Sequence, residues 1–195
     1  MTVQHNVLTD TEGLHEPKGH LTAALGTAYV SDGAASGTWV KVQRSQAACL
    51  KATAAGATTG VTNAYQALND ATLGGTIAWT QNTAAEMTTN TTSGYVTIPD
   101  AGIYHVTFIG NLIPATNGSV FKFTIGKDSG AGIVSQEAFV ETVVTTSGTV
   151  DSNLVALSCL PSFNLSDKVY IMVKETTAGE EFVLQNANFI ITRIG

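Results

Sequence analysis

From about residue 76 onward the apolar residues of this chain recur at every second position, in one short run after another. That period decides what the chain can become. In the longest run, Ile103 to Ile113, the residues Tyr104, Val106, Phe108, Gly110 and Leu112 fall on one face. A two-residue period puts alternate side chains on opposite faces of a strand, whereas a helix needs a period near 3.6. The alternation returns at 76–80, 94–98, 119–125, 133–145, 150–160 and 167–174, and residues 181–185 and 188–194 read as a closing strand pair. Turn formers such as Pro99-Asp100-Ala101-Gly102 separate the runs. Strands at this spacing, with no long helical pattern, predict an all-β domain built as a double-sheet jelly-roll sandwich.

Composition removes several classes of partner. Charged residues make up 12% of the chain, about half the usual fraction of roughly 25%, and Thr, Ala, Gly, Ser and Asn fill the freed positions. The net charge is −6 and no run of Lys or Arg occurs, so an electrostatic grip on nucleic acid or anionic lipid is not expected. No apolar stretch approaches the roughly 20 residues of a membrane span. The start, MTVQHNVLTDTEG, lacks a basic region and an apolar region, so no secretory signal is expected. Cys49 and Cys159 lie far apart and form no ligand spacing. Free thiols are favoured over a disulfide for a chain made in a reducing cytosol.

The chain reads as three stretches. Residues 1–44 hold a polar start and two short strand patterns, at 27–30 and 37–42, with Ser31-Asp32-Gly33 as a turn between them. An isolated hairpin is marginal in water, so this arm needs something to lie on. Residues 45–75 are rich in Ala, Thr and Gly, which interrupts any helix; a connecting segment of loop and irregular strand is expected there. Residues 76–195 form the head domain.

Catalytic chemistry does not emerge from these residues. His15, Glu16 and His20 resemble a zinc-protease pattern only superficially. The two histidines are five apart rather than four, and Pro17 would break the helix that must aim them. The Gly-rich stretch 126–132 carries its lysine at the start, not after the second glycine of a phosphate loop. His105 reads as a hydrogen-bonded strand histidine. No catalytic residue, metal site or cofactor is expected, and the chain does not read as an enzyme. By contrast, both faces of 103–113 are apolar, since Ile103, Ile109 and Ile113 sit opposite the first set. A lone sandwich should present a polar outer face, so an oligomer interface is expected. Its candidate residues are Ile103, His105, Ile109, Tyr170, Met172 and Ile190, with the choice of sheet face left open.

Two resemblances follow from motifs. The block Tyr95-Val96-Thr97-Ile98-Pro99-Asp100-Ala101-Gly102-Ile103-Tyr104 resembles the central signature of tumour-necrosis-factor-like and complement-type globular heads. Residues 163–173, 182–184 and 188–194 agree with it. Those families carry Gly-Asp where this chain has Ser166-Asp167. The likeness spans 76–195 and implies a jelly roll that forms a homotrimer. At the other end, Leu14-His15-Glu16-Pro17-Lys18-Gly19, followed by the Tyr29 and Trp39 strands, resembles a short module of tailed-bacteriophage head-decoration and head-fibre proteins. It implies a capsid-docking arm in which Leu14, His15, Glu16, Pro17, Lys18, Gly19, Tyr29 and Trp39 contact the major capsid protein. The expected function is then a virion structural protein on the capsid exterior, acting as cement or as a projection. The rival reading is the receptor-binding tip of a tail fibre, with a host surface glycan as partner.

Overall fold

The computed structural model describes residues 27–31, 37–41, 46–52, 56–69, 77–147, 153–176 and 179–195. Contacts divide the chain into two units, Met1–Arg44 and Ser45–Gly195. In the first, β1 (Thr27–Ser31) pairs antiparallel with β2 (Gly37–Lys41), with Tyr29 opposite Trp39 in the register. The residues expected to form the turn, 32 and 33, lie outside the described residues.

The second unit contains fourteen described strands, in chain order β3 (Ala47–Ala52), β4 (Gly56–Val61), β5 (Gln66–Ala67), β6 (Trp79–Ala85), β7 (Thr88–Asn90), β8 (Tyr95–Thr97), β9 (Gly102–Pro114), β10 (Val120–Asp128), β11 (Ile133–Ser135), β12 (Thr142–Thr145), β13 (Asn153–Cys159), β14 (Ser162–Phe163), β15 (Lys168–Glu175) and β16 (Glu180–Arg193). They form two antiparallel sheets. Sheet I runs β13-β9-β16-β3-β6, with β14 on β9 and β4 on β16. Sheet II runs β11-β10-β15-β8-β7, with β12 on β10 and β5 on β15. No helix occurs among the described residues.

The inner faces meet through aromatic rings. Phe108 of β9 and Phe123 of β10 have ring centroids 6.0 Å apart, and Phe121 of β10 meets Phe182 of β16 edge-on at 5.0 Å. All four are fully or almost fully buried. Tyr104, Val106, Phe108, Gly110 and Leu112 face this core together, as their alternation predicts.

Three expectations change. Residues 45–75, expected as a connector, supply β3, β4 and β5 to the two sheets. The alternation was present but muted: Ala48, Leu50 and Ala52 are buried, and two of these three are alanines, as small as the outward Ala47. The run 133–145 is two strands separated by a turn in which Val140 N–H donates to the Gln136 carbonyl. The closing strand pair is one strand, β16, with a bulge. Its register against β9 shifts between Leu184 and Asn186, so Gln185 is the extra residue. A bulge flips the inward phase without reversing the chain. Phe182 and Leu184 point inward before it, and Ala187, Phe189 and Ile191 after it. Gly110 faces this point, where an added Cβ would lie 3.2 Å from both Leu184 and Ala187.

The 98–102 turn is tied to the C-terminus. The Tyr104 hydroxyl donates to the Asp100 carbonyl at 2.6 Å, and buried Gln46 donates its amide to the Asp100 carboxylate. Arg193 donates to the Ala101 carbonyl at 2.9 Å and stands 3.4 Å from Asp100 Oδ2. A Cβ on Gly102 would come within 2.3 Å of the Gly195 carbonyl oxygen, which already accepts from the Ile103 N–H. The Asp-Ala-Gly-Ile-Tyr order therefore has a mechanical reason: each residue holds or makes room for the chain end.

Candidate functional site

The outer face of sheet I is built by register. One cross-strand row runs Ala156, Ile109, Asn188, Lys51, and the next runs Ser158, Thr107, Ile190, Cys49, Thr83. Above them Leu154, Asn111 and Asn186 align, and the Asn111 amide donates to Asn186 Oδ1 at 3.2 Å. Lys51 is the single charge in these rows. Ile103, Ile109 and Ile190 are exposed, as is Leu154 at 63%. His105 Nε2 lies 2.9 Å from Ser158 Oγ and 3.3 Å from Thr107 Oγ1, among hydroxyls rather than carboxylates. A sparsely charged, partly aliphatic surface spanning five strands is poorly suited to water and well suited to another protein surface.

Sheet II presents a different exterior. Lys122 pairs with Glu141 at 2.9 Å, Lys174 pairs with Glu137 at 2.7 Å and approaches Glu141 at 3.9 Å. The Lys174 ammonium also lies 4.2 Å from the centroid of the Tyr65 ring, whose hydroxyl donates to Glu141. That hydroxyl, then Lys122, holds the Glu141 carboxyl below the ordinary carboxylate range. Burial, reinforced by Glu141, raises the Tyr65 hydroxyl. These charges are paired with one another and mostly half-buried, while Ile133, Val134 and Val143 stand exposed on the same sheet.

Of the six interface candidates, Ile103, His105, Ile109 and Ile190 lie together on sheet I. Tyr170 and Met172 do not join them. Both belong to β15 in sheet II, where Tyr170 packs its ring 5.1 Å from Tyr95 and Met172 is only 4% exposed. Alternation tells which residues share a strand face but not which sheet the strand enters, so the split was not visible beforehand. Leu154, Ala156 and Ser158 on β13 complete the face and were missed. Their signal was the outward apolar Leu154 in a strand whose inward residues, Val155 and Leu157, are also apolar.

Leu14, His15, Glu16, Pro17, Lys18 and Gly19 lie outside the described residues, and for Tyr29 and Trp39 the backbone alone is described. Both cysteines are free; burial pushes the Cys159 thiol up to about 11. Among the described residues no three His, Cys, Asp or Glu side chains converge to hold a metal.

No protein-family model matches the sequence, and no curated protein matches it. Solved structures do match in fold. Eiger TNF from S. frugiperda superposes with a TM-score of 0.53 at 12% identity, covering 78% of this chain and 94% of its own. The globular domain of zebrafish complement 1qA gives 0.49 at 15% identity over 77% and 98%, and murine APRIL gives 0.45 at 8% over 72% and 99%. The fold is thus a tumour-necrosis-factor-like jelly-roll sandwich. The 78% share exceeds what residues 76–195 alone could supply, in keeping with the membership of β3 to β5.

Proposed function

We propose that this chain is a non-enzymatic structural protein of a phage virion. Three copies join through the outer face of sheet I, and residues 1–44 hold the resulting head on the capsid exterior, against the major capsid protein. The observation that carries self-association is the sparsely charged face itself, with Ile103, Ile109, Leu154 and Ile190 exposed across three neighbouring strands. Burying a large aliphatic side chain is worth roughly 1.5–3 kcal/mol, and three-fold repetition multiplies a modest gain per contact. The docking role rests on the resemblance of residues 14–39. A trimer suits it physically, because three weak arms on a repeated lattice act at high effective concentration.

Two measurements test this reading. Solution mass should correspond to three chains; a stable monomer at micromolar concentration sinks the association. Removing residues 1–44 should leave that mass per chain count intact while abolishing co-sedimentation with undecorated phage heads. If the truncated protein still decorates heads, the arm is misassigned. Antibody label found on the tail rather than the head would favour a fibre tip.

A further inference from the structure

Sheet II carries an open cleft of about 420 Å3 that no part of the association reading uses. Its apolar lining comes from Met172, Tyr65, Ile133 and Val134. Met172 rests directly on backbone: a Cβ on Gly126 would lie 2.6 Å from Met172 Sδ and 2.8 Å from Ile133 Cγ2. The Tyr65 ring is held from two directions, by its hydroxyl on Glu141 and by the Lys174 ammonium 4.2 Å from its centroid. Such a ring loses little freedom when something lies against it.

The rim supplies hydrogen-bonding capacity. The Asn63 amide and the Ser135 hydroxyl have no hydrogen-bond partner among the described residues. Glu137 engages Lys174 through Oε2, which leaves Oε1 to accept. Around the cleft, Lys122 and Lys174 are balanced by Glu137 and Glu141, so no ionic ligand of either sign is favoured. An apolar peptide side chain would cover the open polar groups without pairing them, at a cost per group.

We infer that this cleft binds a neutral carbohydrate, a pyranose whose C–H face lies on Tyr65 and Met172 while its hydroxyls pair with Asn63, Ser135 and Glu137. A sugar ring is apolar on its face and polar around its edge, and the cleft offers both kinds of partner in Tyr65, Met172 and Ile133 and in Asn63, Ser135 and Glu137. The site lies within one chain and stands whether or not copies associate. In an assembly through sheet I it would remain outward-facing and be multiplied, so weak single sites would add as avidity.

Saturation-transfer NMR on the intact chain, with glucose, galactose and N-acetylglucosamine as probes, tests the inference. Transfer to ring C–H protons of at least one sugar is expected. Asn63→Ala, at an exposed position, should weaken it about fivefold, the effect of one net hydrogen bond. Tyr65→Phe should retain binding and Tyr65→Ala should lose it. Absence of transfer to all three sugars overturns the assignment, as does binding unchanged in Asn63→Ala and Tyr65→Ala. Perturbation of Met172 and Ile133 resonances by an apolar peptide but by no sugar would assign the cleft to a protein partner and also overturn it.

Discussion

The two sheets bury equivalent faces against one another and both expose aliphatic side chains, but they differ in how much paired charge surrounds those side chains. Sheet II carries an ion-pair network beside its exposed Ile133, Val134 and Val143: Lys122, Lys174, Glu137 and Glu141 pair across neighbouring strands and loops, and Tyr65 is tied into the same network. Sheet I is left unfinished, with Asn, Thr, Ser and Ala between exposed Ile and Leu side chains. A partly exposed ion pair adds little stability, about 0–1 kcal/mol, so the charges on sheet II are better understood as solubility than as strength. Their scarcity on sheet I is the informative observation. Inward alternation makes a sandwich; the composition of the outward set decides whether a sheet ends in solvent or against a copy.

The largest effect should come from putting a charge on the unfinished face. Ile109→Asp places a carboxylate in the middle of sheet I, where Ile109 is 44% exposed in the single chain. A carboxylate buried without a partner costs several kcal/mol, repeated in each copy. The expected outcome is a fall in solution mass from three chains to one, with an unchanged circular-dichroism spectrum. Val143→Asp is the matched control: Val143 is 52% exposed, sits on sheet II and lies opposite Lys122 in the register. Its mass should stay at three chains. Equal dissociation by both variants would abolish the distinction between the faces.

Acid should act on sheet II first, at a smaller scale. The Glu141 carboxyl is held low by the Tyr65 hydroxyl and then by Lys122. A carboxylate whose value is lowered by folding contributes stability that is complete above its unfolded range near 4.3 and is lost as pH falls through its folded value. Melting temperature should therefore drop on acidification below that range. Glu141→Gln should lower stability by about 1 kcal/mol at neutral pH, the scale of a partly exposed charged hydrogen bond, and flatten the acid limb. A limb equally steep in wild type and Glu141→Gln would place the acid response elsewhere.

Most of the sandwich was legible because its strands place large apolar residues at every second position. Phe121, Phe123 and Ile125 on β10 alternate with Lys122 and Thr124 and read plainly as one inward set. Legibility failed for three physical reasons. In β3, buried Ala48 and Ala52 are as small as the half-buried, outward Ala47, so burial leaves no contrast in the sequence. At Gln185 a bulge changes the inward phase, which imitates a turn when only one strand is seen. The interface set divided because strand order is a property of pairing, which is long-range: Ile190 lies beside Thr107 and Cys49, whereas Met172 pairs with Ala67. The cleft was invisible for a related reason, since Asn63 and Tyr65 meet Ile133 and Glu137 only through the order of sheet II.

The smallest predicted effect separates stability from association. Ser166 enters β15 with φ of +68°, a left-handed value, and its N–H donates to the Ile98 carbonyl at 2.8 Å. Glycine adopts that region without steric cost. An L-residue there is disfavoured by about 1–2 kcal/mol, while a new glycine gives back about 0.4–1 kcal/mol through the unfolded chain. Ser166→Gly should therefore stabilise by about 0.5 kcal/mol, a rise of about 1–2 °C in Tm, with no change in mass, since the turn lies on sheet II's strand. Gly94 shows the opposite case at nearly the same angle, φ +66°: a Cβ there would lie 2.6 Å from the Trp79 indole nitrogen. Gly94→Ser should consequently destabilise where Ser166→Gly stabilises. A loss of stability in Ser166→Gly would show that the serine side chain holds the turn.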